Sequence, residues 1–360
     1  MAAIVPLRLP ENIGSAKVSA LTYTHDGNAI LALTSNGVHL LWKWQGNDNS
    51  GEKWLLSSNE TGMRNKIAGA LKEAVPCFSL FQNDLYLMSS SGGKIHLFYV
   101  KAWMIPAISC DLMTSFPPPH PSAVTCITYC PHDYQVIAMG MDDGTICVYC
   151  YLAMEVSKLE GHLSRVTGLA YSYSDPSEVL VSTGADAQIC VWSFKFSNVW
   201  EKERSKFLLF PRGRAPTSAS DTRVQFHRDD THLLIIHPAQ LAIYERNQLE
   251  RVNEWLLPDN HAPISNATYS CDSQLVYTSF VDDTICIFDA STLTLRYHIN
   301  PSAYFPPSVR SSNNIRSLVI AAHPRVANQF AVVLSDGRIH VFDSGDSQIL
   351  VEGLRILSLS

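Results

Sequence analysis

No apolar run in this 360-residue chain approaches the roughly 20 residues that a helical membrane crossing needs; the longest, such as HLLIIHP at 232–238, are strand-sized. The opening MAAIVPLRLP lacks the charged start and long apolar segment of a secretory signal. No membrane role is expected. Basic charge is also short, with 27 Lys and Arg against 33 Asp and Glu and a net charge of −6. A domain that grips nucleic acid by its phosphates needs a basic face, so direct nucleic-acid binding is not expected either. Signatures of catalysis are missing: there is no HExxH, no GxSxG, no Walker loop and no GxGxxG opening a helix. The expectation is no enzyme, no metal, no cofactor and no small-molecule substrate. Nothing long reads as an amphipathic helix. The nine cysteines, an odd number without a secretory signal, point to free thiols in a reducing compartment.

What the chain does have is a 46% hydrophobic content, ample for a large core, and one phrase that recurs. It ends on an aromatic residue: Trp42 in NGVHLLW, Phe98 in GGKIHLF, Tyr149 in DGTICVY, Trp192 in DAQICVW, Tyr244 in PAQLAIY, Phe288 in DDTICIF and Phe342 in DGRIHVF. The intervals are 56, 51, 43, 52, 44 and 54 residues, around the size of a four-strand propeller blade. Six residues before each aromatic stands a turn-type residue: Asn36, Gly92, Asp143, Asp186, Pro238, Asp282 and Asp336. Such residues followed by alternating β-branched and aromatic ones read as a tight turn entering a strand. Two earlier strands precede each turn, as in RVTGLAYS and VLVSTG, and the sequence after each phrase is long enough for a fourth. The prediction is an all-β fold of seven stacked four-stranded blades, with 18–344 as the repeat domain, 1–17 before it and a tail over 345–360.

The unit resembles the WD40 β-propeller, so the fold expected is a seven-bladed WD40-type propeller. Residues 160–192 are nearest to the family pattern and carry Gly161, His162, Ser182, Asp186 and Trp192. The resemblance implies that His162, Ser182, Asp186 and Trp192 form a buried hydrogen-bonded network within the fourth blade. A buried indole N–H and imidazole need partners, and a satisfied network fixes a blade. The other six copies lack Gly-His.

Cys147, Cys190 and Cys286 hold one position in three copies, where the other copies have Leu40, His96, Ala242 and His340. A slot that accepts Cys, Leu, Ala and His is a packing slot, and zinc needs four converging ligands. His132, His227 and His323 follow inner strands and read as turn histidines. Asp142-Asp143 and Asp282-Asp283 read as turn acids. SFPPPHPS (115–122) reads as a rigid connector, and FPRGRAPTSASDTR (210–223) as a polar loop carrying Arg212, Arg214 and Arg223.

Longer strings are more specific. LRLPEN, NAILALTSNGVHLLWKWQ, KEAVPCFSL, IAMGMDDGTICVY, WEKERSK, SDTRVQFH, QLAIYE, NPSAYFP and LVIAAHP resemble the second, C-terminal propeller of the plant Topless and Topless-related transcriptional corepressors, from about Leu7 to Phe342. The helical LisH–CTLH region and first propeller of that family have no counterpart in these 360 residues. YVKAWMIPAISCDLM, VWSFKFSNVW and the tail GDSQILVEGLRILSLS depart from its pattern. The resemblance implies a nuclear, non-catalytic interaction platform whose partners are proteins: transcription factors, adaptors or chromatin-modifying complexes. The alternative is a scaffold of another assembly, such as a ubiquitin-ligase receptor.

Two further expectations concern the ring. The fourth strand of blade seven should come from AIVPLRLP, with QILVEGLRILSL as the competitor. Lys17, Arg165 and Arg316 precede inner strands of blades one, four and seven, and are the candidate contacts for an acidic segment of a partner.

Overall fold

The computed structural model describes residues 3–7, 17–45, 53–56, 75–90, 95–100, 110–116, 122–133, 135–150, 152–153, 155–173, 179–195, 199–209, 221–259, 261–301, 317–335 and 338–343. Gly92, Arg212, Arg214, Arg316, Asp336 and the tail 345–360 lie outside them, as does most of the proline-rich connector.

The described chain forms seven four-stranded antiparallel sheets. Strand β1 (Ala3–Leu7) comes first. Blade one follows with β2 (Val18–Tyr23), β3 (Ala29–Thr34), β4 (His39–Gln45) and β5 (Lys53–Leu56). Blade two is β6 (Cys77–Leu80), β7 (Tyr86–Ser90), β8 (Ile95–Val100) and β9 (Cys110–Phe116). Blade three is β10 (Val124–Tyr129), β11 (Val136–Met141), β12 (Thr145–Cys150) and β13 (Glu155–Glu160). Blade four is β14 (Val166–Tyr171), β15 (Val179–Gly184), β16 (Gln188–Lys195) and β17 (Val199–Phe207). Blade five is β18 (Arg223–Phe226), β19 (His232–His237), β20 (Gln240–Glu245) and β21 (Arg251–Leu256). Blade six is β22 (Ile264–Tyr269), β23 (Leu275–Phe280), β24 (Ile285–Asp289) and β25 (Leu295–Ile299). Blade seven has β26 (Ser317–Ala322), β27 (Gln329–Leu334) and β28 (Ile339–Asp343) from its own segment. Its fourth strand is β1, which pairs antiparallel with β28 from Ala3↔Asp343 to Leu7↔Ile339. β1 is the outermost strand of that sheet, the place where Pro6, lacking an N–H, is tolerated. The fold class is the one read from the sequence: an all-β, seven-bladed WD40-type propeller.

Several of the described turns share one device. An Asp or Asn side chain accepts the N–H two residues on, and the residue between takes a left-handed backbone. Asp143 Oδ1 accepts Thr145 N–H at 3.0 Å across Gly144 (φ 87), and Asp186 Oδ1 accepts Gln188 N–H at 3.0 Å across Ala187 (φ 57). Asp282 does the same for Thr284 across Asp283 (φ 74). The turns after the inner strands repeat it at Asp26-Gly27, Asn83-Asp84 and Asp272-Ser273. An Asx side chain mimics a backbone turn, which is why Asp fills the slot before the third strand at 143, 186 and 282.

Two compact units are distinguished, one over Met1–Ser35, His39–Asn59 and Asn253–Ser360, the other over Asn36–Val38 and Glu60–Val252. In the second unit, side chains of the third strands alternate between the blades on either side. Cys190 and Trp192 pack with Ala138, Ile146 and Val148 of blade three. Ile189 and Val191 pack with Leu233, Ile235 and Tyr244 of blade five. In the first unit Tyr277, Ile285 and Ile287 of blade six meet Phe330, Val332 and Phe342 of blade seven. Each such side chain gains about 1.5–3 kcal/mol on full burial, so the seams between blades dominate the stability. A sheet with two apolar faces has no stable solitary state.

Described parts of two atypical segments are strands: CDLMTSF supplies β9, and Lys195 at the end of β16 pairs with Val199 at the start of β17.

Candidate functional site

Blade four brings His162, Ser182, Asp186 and Trp192 together. Ser182 lies on β15 opposite Cys190, so its hydroxyl points to the same side as the indole of Trp192 on β16. Trp192 Nε1–H donates to Ser182 Oγ at 2.8 Å. Ser182 Oγ is 2.8 Å from His162 Nε2, and His162 Nδ1 is 3.3 Å from Asp186 Oδ1. Asp186 then accepts the N–H groups of Leu163 at 2.7 Å and Gln188 at 3.0 Å. Gly161 makes the approach possible, since a Cβ there would stand 2.8 Å from Trp192 Cη2. Burial works to raise the Asp186 carboxyl, but hydrogen bonds from His162, Leu163 and Gln188 outweigh it and hold its pKa below the ordinary value.

The chain of contacts Ser–His–Asp has the connectivity of a hydrolase triad, yet its chemistry is closed. Ser182 is 0% exposed, and its oxygen already accepts the indole proton. With Nδ1–H given to Asp186, His162 Nε2 accepts the serine proton, and no face of the hydroxyl is left for a substrate. A nucleophile must reach a carbonyl carbon; this one reaches only protein. Its chemical capacity is to tie the loop at 161–163 to β15, β16 and the turn at Asp186.

The candidate cations fare differently. Arg165 Nη2 donates to Asp221 Oδ1 at 2.5 Å, with the two side chains 34% and 53% exposed, so its charge is shared with an acid of blade five. Lys17 is exposed, and its backbone N–H donates to Ser35 Oγ at 3.2 Å. Arg316 lies outside the described residues. Arg223, read from the sequence as a loop cation, instead opens β18 and is half-buried; burial lowers its pKa.

Comparison with known proteins places these residues. Residues 111–150 and 154–193 match the family model described as WD domain, G-beta repeat. Each match runs from the outer strand of one blade through the third strand of the next, so the second contains the whole network. Topless-related protein 1 of Arabidopsis thaliana is 49% identical, with 95% of this chain and 30% of that protein covered. Protein TOPLESS of the same plant gives the same figures. Protein TPR3 of Oryza sativa subsp. japonica is 47% identical, with 95% and 30% covered. The chain is a Topless homologue. It spans 30% of the length of these relatives, and the part it covers is their WD40 portion.

In this Topless homologue the recurring cysteines are buried packing groups. Burial pushes the thiols of Cys190 and Cys286 up to about 12 and that of Cys147 up to about 11. Cys147 packs toward blade two and Cys190 toward blade three, so in these two blades the slot faces the preceding blade.

The seams of the Topless homologue also hold polar contacts that sequence reading missed. Thr125 Oγ1 donates to Val166 O at 2.6 Å, and Thr183 Oγ1 to Thr222 O at 2.8 Å. Asp230, left-handed at φ 61 and buried, accepts the Ser172 hydroxyl and, at 3.0 Å, the Tyr173 N–H of blade four. Arg246 Nη1 lies 3.7 Å from Oδ2, the same oxygen that accepts the Ser172 hydroxyl. The available signal was the doubled acid at 229–230 in a turn where one Asp suffices.

Proposed function

We propose that this chain is a non-catalytic protein-interaction platform of a Topless-type transcriptional corepressor, acting in the nucleus to hold repressive partners at genes bound by transcription factors. The observation that carries the reading is the near-complete alignment of the chain with the WD40 portion of Topless relatives. The closed chemistry of the Ser182–His162–Asp186 chain supports the non-catalytic part. Partners are proteins, and Lys17, Arg165 and Arg316 each offer a cation to an acidic peptide segment. Arg165 can do so by exchanging Asp221 for a partner carboxylate, at little cost for so exposed a pair.

The test is to tether the full chain to a promoter through a heterologous DNA-binding module and measure reporter output in plant cells, with co-purified proteins identified by mass spectrometry. Repression together with capture of nuclear repressor components is the expected result. Unchanged reporter output overturns the reading, and recovery of ubiquitin-ligase subunits in place of repressor components favours the rival scaffold.

A further inference from the structure

The β18–β19 hairpin of blade five ends on two histidines that the network of blade four does not involve. His227 follows Phe226, the last residue of β18, and His232 opens β19. The pairing Phe226↔Leu233 continues one step further, with His227 N–H donating to His232 O at 2.9 Å, so the two imidazoles stand directly opposite across the hairpin. Residues in that relation have Cβ atoms about 4.5–5.5 Å apart, within the span of a single bound ion. Asp229, in the four-residue turn between them, places its carboxylate against both rings. Its Oδ2 is 2.6 Å from His232 Nδ1 and its Oδ1 is 3.1 Å from His227 Nδ1.

We propose that His227, Asp229 and His232 form a binding site for a divalent transition-metal ion of the zinc class. One ligand atom from each residue lies within 4.8 Å of the others. Ligands about 2.0–2.2 Å from a tetrahedral zinc are separated by roughly 3.3–3.5 Å, so small side-chain rotations bring the three into register. Two imidazoles and one carboxylate are a borderline donor set that favours zinc, copper or nickel over magnesium or calcium. Three protein ligands with a fourth position open to solvent match the exposure of the turn, where the side chains of His227, Asp229 and His232 are 24%, 38% and 37% exposed. Asp229 Oδ1 also accepts the N–H groups of Thr231 at 2.9 Å and His232 at 3.0 Å, which hold the carboxylate in place between the two rings. The neighbouring Asp230 is not a ligand, because Ser172 and Tyr173 occupy its oxygens. Through Asp230 the site is one residue from the seam between blades four and five, so an ion that fixes the turn also fixes the seam.

The experiment is a titration of the full chain with zinc chloride, followed by calorimetry and thermal unfolding, with magnesium chloride as the contrast. Zinc near saturation raises Tm by about 3 °C or more, as binding to the folded state alone requires. His227→Gln and His232→Gln each weaken zinc binding by about tenfold or more. His261→Gln, in an exposed turn elsewhere, leaves it unchanged. Should either site variant fail to fold, zinc protection of His227 and His232 from diethyl pyrocarbonate, read by mass spectrometry on the unmodified sequence, replaces it. Zinc affinity that survives both substitutions, a Tm that zinc does not raise, an equal response to magnesium, or modification of both rings unaffected by zinc overturns the site.

Discussion

The indole N–H of Trp192 donates to Ser182 Oγ at 2.8 Å, and this contact makes a Ser–His–Asp chain into a structural clasp. Ser182→Ala removes the acceptor of the indole and the partner of His162 at once, leaving two buried donors or acceptors unpaired. The expected loss is about 2–4 kcal/mol, toward the sum of two unsatisfied groups. Trp192→Phe removes the donor instead and leaves Ser182 bonded to His162, so it costs less in hydrogen bonding. Denaturant unfolding of the two variants checks the order.

Asp230→Ala should loosen one seam selectively. The Ser172 hydroxyl and Tyr173 N–H lose their shared acceptor across blades four and five, for a loss of about 2–3 kcal/mol. Hydrogen exchange at Tyr173 should accelerate, while amides of blade six keep their wild-type rates. Uniform acceleration in both places would contradict a local seam.

Gly144 and Ala187 occupy the same turn slot in consecutive blades, at φ 87 and 57. Alanine is therefore tolerated by the turn itself. At Gly144, however, a Cβ would meet the carbonyl oxygens of His162 at 2.8 Å and Ser164 at 2.9 Å, both backbone. Gly144→Ala should cost about 1–3 kcal/mol, from overpacking added to left-handed strain. Thermal unfolding reads the loss.

Asp283 gives a pH dependence of definite sign. Burial and the adjacent Asp282 push its carboxyl up to about 6 from an ordinary 3.8. The folded state binds this proton more tightly than the unfolded state does. The contribution to stability is therefore fully present below 3.8 and is lost as pH rises to about 6. Asp283→Asn keeps a residue at ease with φ 74 and removes the titration. The variant should exceed the wild type in Tm at about pH 7.5, and the gap should close near pH 3.5.

The sequence made the blades legible because turns and strands are local. Asp at 143, 186 and 282 and the alternation of ICVY, ICVW and ICIF state the third strand, its turn and its two faces without reference to anything distant. The Trp192 network was legible because all four residues lie within one blade and the resemblance supplied their roles. Contacts between blades were not. Thr125 with Val166, Asp230 with Ser172 and Arg165 with Asp221 join residues 41, 58 and 56 positions apart, and no period in one blade announces its partner in the next. Arg223 was misread for a related reason: it stands at the end of a polar stretch, and only the pairing Arg223↔Ile236 marks it as a strand residue.

The central claim is that the polar core of blade four holds up a binding scaffold and performs no reaction. One paired measurement tests it most directly: Tm and partner capture from plant nuclear extract, both on Ser182→Ala and the wild-type chain, with capture done well below either Tm. The account predicts a lowered Tm with partner capture retained. An unchanged Tm with capture lost, or an esterase activity present in the wild type and abolished in Ser182→Ala, would contradict it.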